Sequence, residues 1–221
     1  MYLLVYNLYK VIVINIIMIY LIITTCINNK YGVSNYELRK EEYLTNIKHT
    51  LSILPPSIKP IIVENNGQRE TYLDELKIDV IYTENNKIRV PHKGIIELQD
   101  IQFVARKYDM KDDDIIIKLT GRYKLIDDSF FQTILNNQHK HAFVKFFNVC
   151  QLKYMQYDCV LGLYAIKCWH IKNMVHINLK NSSEIEFALY VRNTVFPEKL
   201  FEIKNLGLRC CFADDLRTID V

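Results

Sequence analysis

The chain reads as a single α/β domain with a mostly parallel central sheet and helices on both faces. Three observations point there. Half of the 221 residues are hydrophobic and 24% are charged, an ordinary globular balance for one continuous core. Short apolar runs ending in polar loops, such as "IIVENNG" and "DIIIKLTG", have the character of parallel strands buried on both faces. Between them lie segments with helical spacing of apolar residues, and strand-helix alternation of this kind implies right-handed crossovers.

The first strand is expected in "MIYLIITTCINNK", from Met18. Upstream, residues 1–17 form an apolar extension interrupted by Asn7, Lys10 and Asn15. Two readings compete for it: a membrane anchor feeding directly into the strand, or a segment preceding a natural start at Met18. The expected domain is therefore 18–221, cytoplasmic, with membrane association through the N-terminus as the open alternative.

A helix should follow in "SNYELRKEEYLTNIKHTLSIL", capped by Ser34 with Glu37 completing a capping box. Tyr43, Leu44, Ile47, Leu51 and Leu54 recur on one face, and Pro55-Pro56 ends the helix. "IKPIIVENNG" is the next strand, "RETYLDEL" a short helix and "DVIYTENN" a third strand. Ile95, Leu98, Ile101, Ala105 and Tyr108 then mark a helix opening near Gly94, and "DIIIKL" is the fourth strand.

The remainder is less regular: "DDSFFQTIL" looks helical, "HAFVKFFNV" extended, "YDCVLGLYAIKCWHI" mixed, and "SSEIEFALYVRN" a capped helix. No internal repeat or low-complexity linker interrupts the chain. Six cysteines without a CxxC pair read as small buried hydrophobes in a reducing compartment. The net charge of +3 comes from scattered side chains, which argues against nucleic acid as a partner.

In a parallel sheet the loops after the strands gather at one edge, where open α/β folds bind ligands. That edge collects Thr24 and Thr25, Glu64 and Asn65, Asn85 and Asn86, and the stretch Lys118, Thr120, Gly121, Arg122. No GxGxxG follows the first strand, and no GxxxxGK[ST] occurs. The first absence counts against a dinucleotide site, and the lack of an early glycine counts against a methyltransferase. Hydroxyls, amides and two cations at that edge suit an anionic ligand such as a nucleotide diphosphate.

The order "IITTCINNK", "RKEEYL", "IIVENNG", "YTENN", "HKGIIEL", "DDDIIIKLTGRY" and "YDCVLGLYAIKC" resembles glycosyltransferase-like proteins of the nucleotide-diphosphosugar transferase (GT-A) fold, over about residues 18–193. Such proteins occur in bacterial surface-polysaccharide clusters and large DNA viruses. The resemblance implies a nucleotide-diphosphosugar donor and a glycan or other hydroxyl acceptor. It assigns donor binding to Thr24, Thr25, Arg39, Lys93, Gly94 and Glu97.

Many GT-A enzymes place Asp-x-Asp after the fourth strand to hold a divalent metal; here that place reads Thr120-Gly121-Arg122. The departure points to metal-independent catalysis, with Lys118 and Arg122 offsetting the charge of the diphosphate. No cofactor is then required, a metal such as Mn²⁺ being the alternative. The competing account is that both cations pair with carboxylates. Asp112, Asp113 and Asp114 precede the strand and read as a solvated turn. Asp158 and Glu186 are the expected acceptor-activating carboxylates, Asp158 favoured. A catalytically silent binding protein of the same fold is the alternative function.

Overall fold

A computed structural model describes residues 17–28, 35–67, 69–212 and 217–221. The strands are β1 (Ile19–Thr25), β2 (Ile58–Glu64), β3 (Asp79–Tyr82), β4 (Ile115–Thr120), β5 (Lys124–Leu125), β6 (Ala142–Val144), β7 (Leu163–Lys167), β8 (Leu200–Glu202), β9 (Leu208–Cys211) and β10 (Thr218–Asp220). The helices are α1 (Tyr36–Ile53), α2 (Lys93–Lys107), α3 (Ser129–Asn136), α4 (Cys168–Asn173) and α5 (Ser183–Thr194).

A seven-stranded sheet runs in the order β3-β2-β1-β4-β7-β6-β8, and β10-β9-β5 form a small second sheet. Strands β3, β2, β1 and β4 are mutually parallel, as the strand-helix alternation requires. Strand β7 reverses direction against both β4 and β6. The mixed half of the sheet is the half where the sequence pattern is irregular.

Alternation along β1 explains the two layers. Ile19, Leu21 and Ile23 join one core with Tyr43 and Ile47 of α1 and Phe130, Phe131 and Ile134 of α3. Tyr20 and Ile22 join the other with Ile101 and Val104 of α2, Ile171 of α4 and Phe187 of α5. Both faces of the strand are apolar because both are covered by helices. The result is the expected single α/β domain with helices on both faces.

Helix α1 begins one residue later than the sequence pattern implied. Asn35 is the N-cap, its Oδ1 accepting from the Leu38 amide at 3.1 Å. Ser34, the expected cap, lies outside the described residues. Replacing Asn35 with Ala should cost about 1 kcal/mol in urea unfolding, the usual value of a side-chain cap.

Residues 1–16, most of the apolar extension, also lie outside the described residues, whereas Ile17 packs against the core. Among the described residues no helix is long and apolar enough to cross a membrane. All six cysteines are free thiols; four are buried as expected, while Cys26 is half-buried and Cys150 is exposed.

At the amino edge of the sheet the three aspartates behave as a structural turn. Asp112 pairs with Lys172 and Asp113 with Lys167, and Asp114 accepts from the backbone amides of Met18 and Lys111.

Candidate functional site: a cationic cleft at the carboxyl edge of the parallel strands

A cleft of about 600 Å³ opens where β1, β2 and β4 end. It is lined by Thr24 and Thr25 at the end of β1, Asn65 after β2, Thr120 at the end of β4 and Arg122 beyond it. Helix α1 contributes Arg39 and Tyr43, and the first turns of α2 contribute Lys93, Ile96 and Glu97. Nine residues picked out from the sequence therefore meet in one place: Thr24, Thr25, Arg39, Asn65, Asn86, Lys93, Glu97, Thr120 and Arg122.

Three cations converge there. Arg39 is buried and its Nη2 donates to the Cys26 carbonyl at 2.7 Å, which fixes the guanidinium against the β1 loop. Its Nε is buried with no hydrogen-bond partner, an unmet donor at the cleft wall. Arg122 is also buried, with a long contact, 3.4 Å, from Nη1 to the Cys211 carbonyl and its guanidinium over the Tyr123 ring. Burial pushes the Lys93 ammonium below its usual range; the nearby Arg39 and Arg122 add to that, while Cys26 and Glu97 oppose it. Mutual repulsion of cations is relieved by a bound anion.

Lys118 departs from the expected role. It points to the α2 face of β4 and is 2% exposed. Its Nζ lies 2.7 Å from Glu97 Oε2 and donates to Thr120 Oγ1 at 2.7 Å and to the Leu161 carbonyl at 2.8 Å. All three ammonium protons are thus engaged. Lys118 orients Glu97 and Thr120 and is not presented to the cleft as a free cation. Of the pair Lys118 and Arg122, only Arg122 lines the cleft.

Glu64, Gly94 and Gly121 serve the site from behind it. Glu64 is fully buried and accepts from the Ile27 and Asn66 amides, tying the loop after β1 to that after β2. Burial raises its pKa, against the hydrogen bonds that favour the charged form. A Cβ on Gly94 would lie 2.4 Å from the Ser183 Cβ, so glycine there lets the start of α2 meet α5. At Gly121 a Cβ would press on Thr25, Ile23 and Tyr43 at 3.0–3.1 Å.

The two expected acceptor-activating carboxylates lie away from the cleft lining. Asp158 is buried and accepts from Asn148 Nδ2 at 2.6 Å, and burial raises its pKa. Glu186 accepts from the Ile177 and Asn178 amides and from Asn181 Nδ2. Burial works against its charged form, but these hydrogen bonds prevail and its pKa is lowered. Its geometry is that of an anchor for the loop before α5.

Sequence reasoning missed Asp100. Fully buried on α2, it accepts from Asn65 Nδ2, Thr83 Oγ1 and Asn85 Nδ2 at 2.7–2.9 Å. It thereby aligns the loops after β2 and β3, and the Asn65 Oδ1 is left buried without a partner. The available signal was a charged residue one turn from both Ile96 and Val104 on the buried stripe of a helix. Among the described residues no group of three His, Cys, Asp or Glu side chains could hold a metal ion.

This architecture defines the class: the chain has a GT-A-like, nucleotide-diphosphosugar transferase fold. A CMP:2-keto-3-deoxy-manno-octonic acid synthetase solved with CTP superposes with a TM-score of 0.50 at 11% identity, over 85% of this chain and 90% of that one. A candidate nucleotide-diphospho-sugar transferase from Desulfovibrio desulfuricans G20 superposes with a TM-score of 0.53 at 9% identity, over 85% of this chain and 80% of that one. No protein-family model matches the chain, and no curated protein matches it by sequence.

Proposed function

We propose that the protein is a glycosyltransferase that binds a nucleotide-diphosphosugar in this cleft and transfers the sugar to a hydroxyl acceptor without a metal. The observation that carries the reading is the convergence of Arg39, Lys93 and Arg122 with the hydroxyls of Thr24, Thr25 and Thr120 at the carboxyl edge of the sheet. The unmet Nε of Arg39 adds a donor for a phosphate oxygen.

Transfer breaks the bond between the anomeric carbon and the diphosphate, and negative charge grows on the leaving oxygen. Fixed guanidiniums in a half-enclosed cleft offset that charge without reorganising. Asn65, held by Asp100, offers its free Oδ1 to a hydroxyl or N–H of the nucleoside. One structural neighbour was solved with CTP, which is compatible with a nucleotide in such a cleft.

A second reading, a catalytically silent binding protein of the same fold, draws on the hydrogen bonds that occupy Asp158 and Glu186.

The test is thermal-shift and ligand-detected NMR screening of the full chain against a panel of nucleotide-diphosphosugars, with and without Mn²⁺. Arg122→Ala should weaken binding of the selected donor about ten- to a hundred-fold, the value of one charge-assisted contact. Binding by one donor without metal and turnover with an acceptor supports the transferase. Binding without any turnover favours the silent protein, and no binding to a folded chain removes both.

A further inference from the structure

A second cavity, of about 350 Å³, lies on the other side of the β4 end from the cationic cleft. Consecutive residues of the turn after β4 line the two: Arg122 lines the cleft and Tyr123 lines the cavity. The Thr120 amide donates to the Gly162 carbonyl at 2.9 Å, which joins that turn to the segment leading into β7. Gly162 itself is packed under the Tyr123 ring, where a Cβ would lie 2.4 Å from a ring carbon.

The walls of this cavity are largely apolar: Val149, Val160, Leu161 and Phe212, with the Cys159 and Cys210 thiols behind them. Both thiols are pushed up by burial, Cys210 to about 12, so neither is a reactive group at neutral pH. One charged side chain lines it, Glu184 in the first turn of α5. The Glu184 carboxylate has no hydrogen bond or ion pair among the described residues, in contrast to Asp158 and Glu186. Leu161 is shared with a neighbouring small cavity, which Ser183 lines. The Ser183 hydroxyl is buried, at 8% exposure, and has no hydrogen-bond partner. Of these two adjacent α5 residues, only the half-buried Glu184 presents its polar group to the apolar cavity.

We infer that this cavity binds the acceptor, and that the acceptor is a hydroxyl compound carrying an aryl or alkyl group next to the reacting end. The inference rests on the reading of the cleft as a nucleotide-sugar site. Its chemistry follows from the lining. A bare sugar placed against Val149, Val160 and Phe212 would lose water from its hydroxyls without replacement, whereas an apolar group gains from the same contact. Glu184 accepts the hydrogen bond of the acceptor hydroxyl. Position supports the pairing of cavity and cleft: consecutive residues of the turn after β4 line the two, Arg122 the cleft and Tyr123 the cavity.

The experiment compares phenyl β-D-glucopyranoside with methyl β-D-glucopyranoside as probes in saturation-transfer NMR on the full chain. Each is titrated with and without the nucleotide selected by the donor screen. The expected result is at least about ten-fold tighter binding of the phenyl compound. Leu161→Ser and Glu184→Gln should each weaken it about ten-fold while nucleotide binding stays unchanged. Glu184 sits on the helix surface, so that variant keeps the proposal falsifiable if Leu161→Ser fails to fold. Equal binding of both probes, or phenyl binding indifferent to Glu184→Gln and Leu161→Ser, overturns the proposal. Selective phenyl binding to a chain that takes no nucleotide sinks the donor-cleft reading and leaves the cavity assignment standing.

Discussion

Glu97→Gln should destabilise the protein by about 3 kcal/mol in urea unfolding, and Lys118→Met by roughly half as much. The asymmetry follows from where each charge sits. Removing the Glu97 charge leaves an ammonium that is 2% exposed with no anion beside it, only neutral oxygens such as Thr120 Oγ1 and the Leu161 carbonyl. Removing Lys118 leaves a carboxylate whose side chain is 30% exposed and can recover water. The penalty for an orphaned buried charge is about 3–5 kcal/mol, and the partial exposure of Glu97 places this pair at the low end. In the double variant the orphan disappears, so the two losses should fail to add by at least about 1 kcal/mol. Nucleotide binding discriminates further: Lys118→Met should change it less than Arg122→Ala does, because Lys118 does not line the cleft. If Lys118→Met abolishes binding while Glu97→Gln leaves stability untouched, Lys118 is a ligand-facing cation after all.

How much of this was legible in the sequence divides along the chain. Strands β1, β2 and β4 are read from their apolar runs because burial on both faces leaves no other composition available. The residues that follow such strands must then meet at one edge, which is why Thr24, Thr25, Asn65, Thr120 and Arg122 could be gathered without coordinates. Arg39 and Lys93 came from resemblance rather than from strand order, since nothing in helical periodicity says which polar residue faces a ligand. The antiparallel β7 was not legible: five residues, Leu163–Lys167, carry no directional signal of their own. Side-chain pairing was the other blind spot. Lys118 reads as a cation at the end of a strand, and only the approach of α2 reveals that Glu97 neutralises it. Asp158 and Glu186 stand in loops and first turns where catalytic carboxylates are common, but local backbone amides and asparagines occupy them. Glu184, two residues from Glu186, was passed over although about half a turn of helix sends the two carboxylates to opposite faces and so to different surroundings.

The second large effect is expected in acid. His170 is 3% exposed at the far side of α4, and burial depresses its pKa to about 4, with the His141 ring and Lys167 adding to the shift. The other groups around it are the Trp169 ring, edge-on at 4.9 Å, and Tyr190 of α5, whose hydroxyl lies 3.4 Å from Nδ1 and donates to the His170 carbonyl. Asp113, the nearest carboxylate to His141, is engaged by Lys167. No anion is therefore placed to stabilise an imidazolium. The sign follows from proton counts. Above the ordinary histidine pKa of about 6.5, folded and unfolded chains both hold His170 neutral, and its contribution is constant. As pH falls from about 6.5 towards 4, the unfolded chain takes up a proton that the folded chain refuses, so stability drops. Below about 4 the folded state also protonates and the loss levels off. A fall from about 6.5 to about 4 corresponds to roughly 3–3.5 kcal/mol at most, a large share of the total for a domain of this size. His170→Gln removes the titrating group while keeping a side chain that can hydrogen-bond to Tyr190. The variant should lose some stability at pH 7.5 but show a flatter dependence between pH 6.5 and 4, measured by urea midpoints at half-unit steps. Carboxylates elsewhere contribute equally to both proteins, so the difference between the two curves isolates His170. Parallel curves would mean that His170 protonates in the folded state as readily as in the unfolded one, and that the α4 to α5 contact opens to water at mildly acid pH.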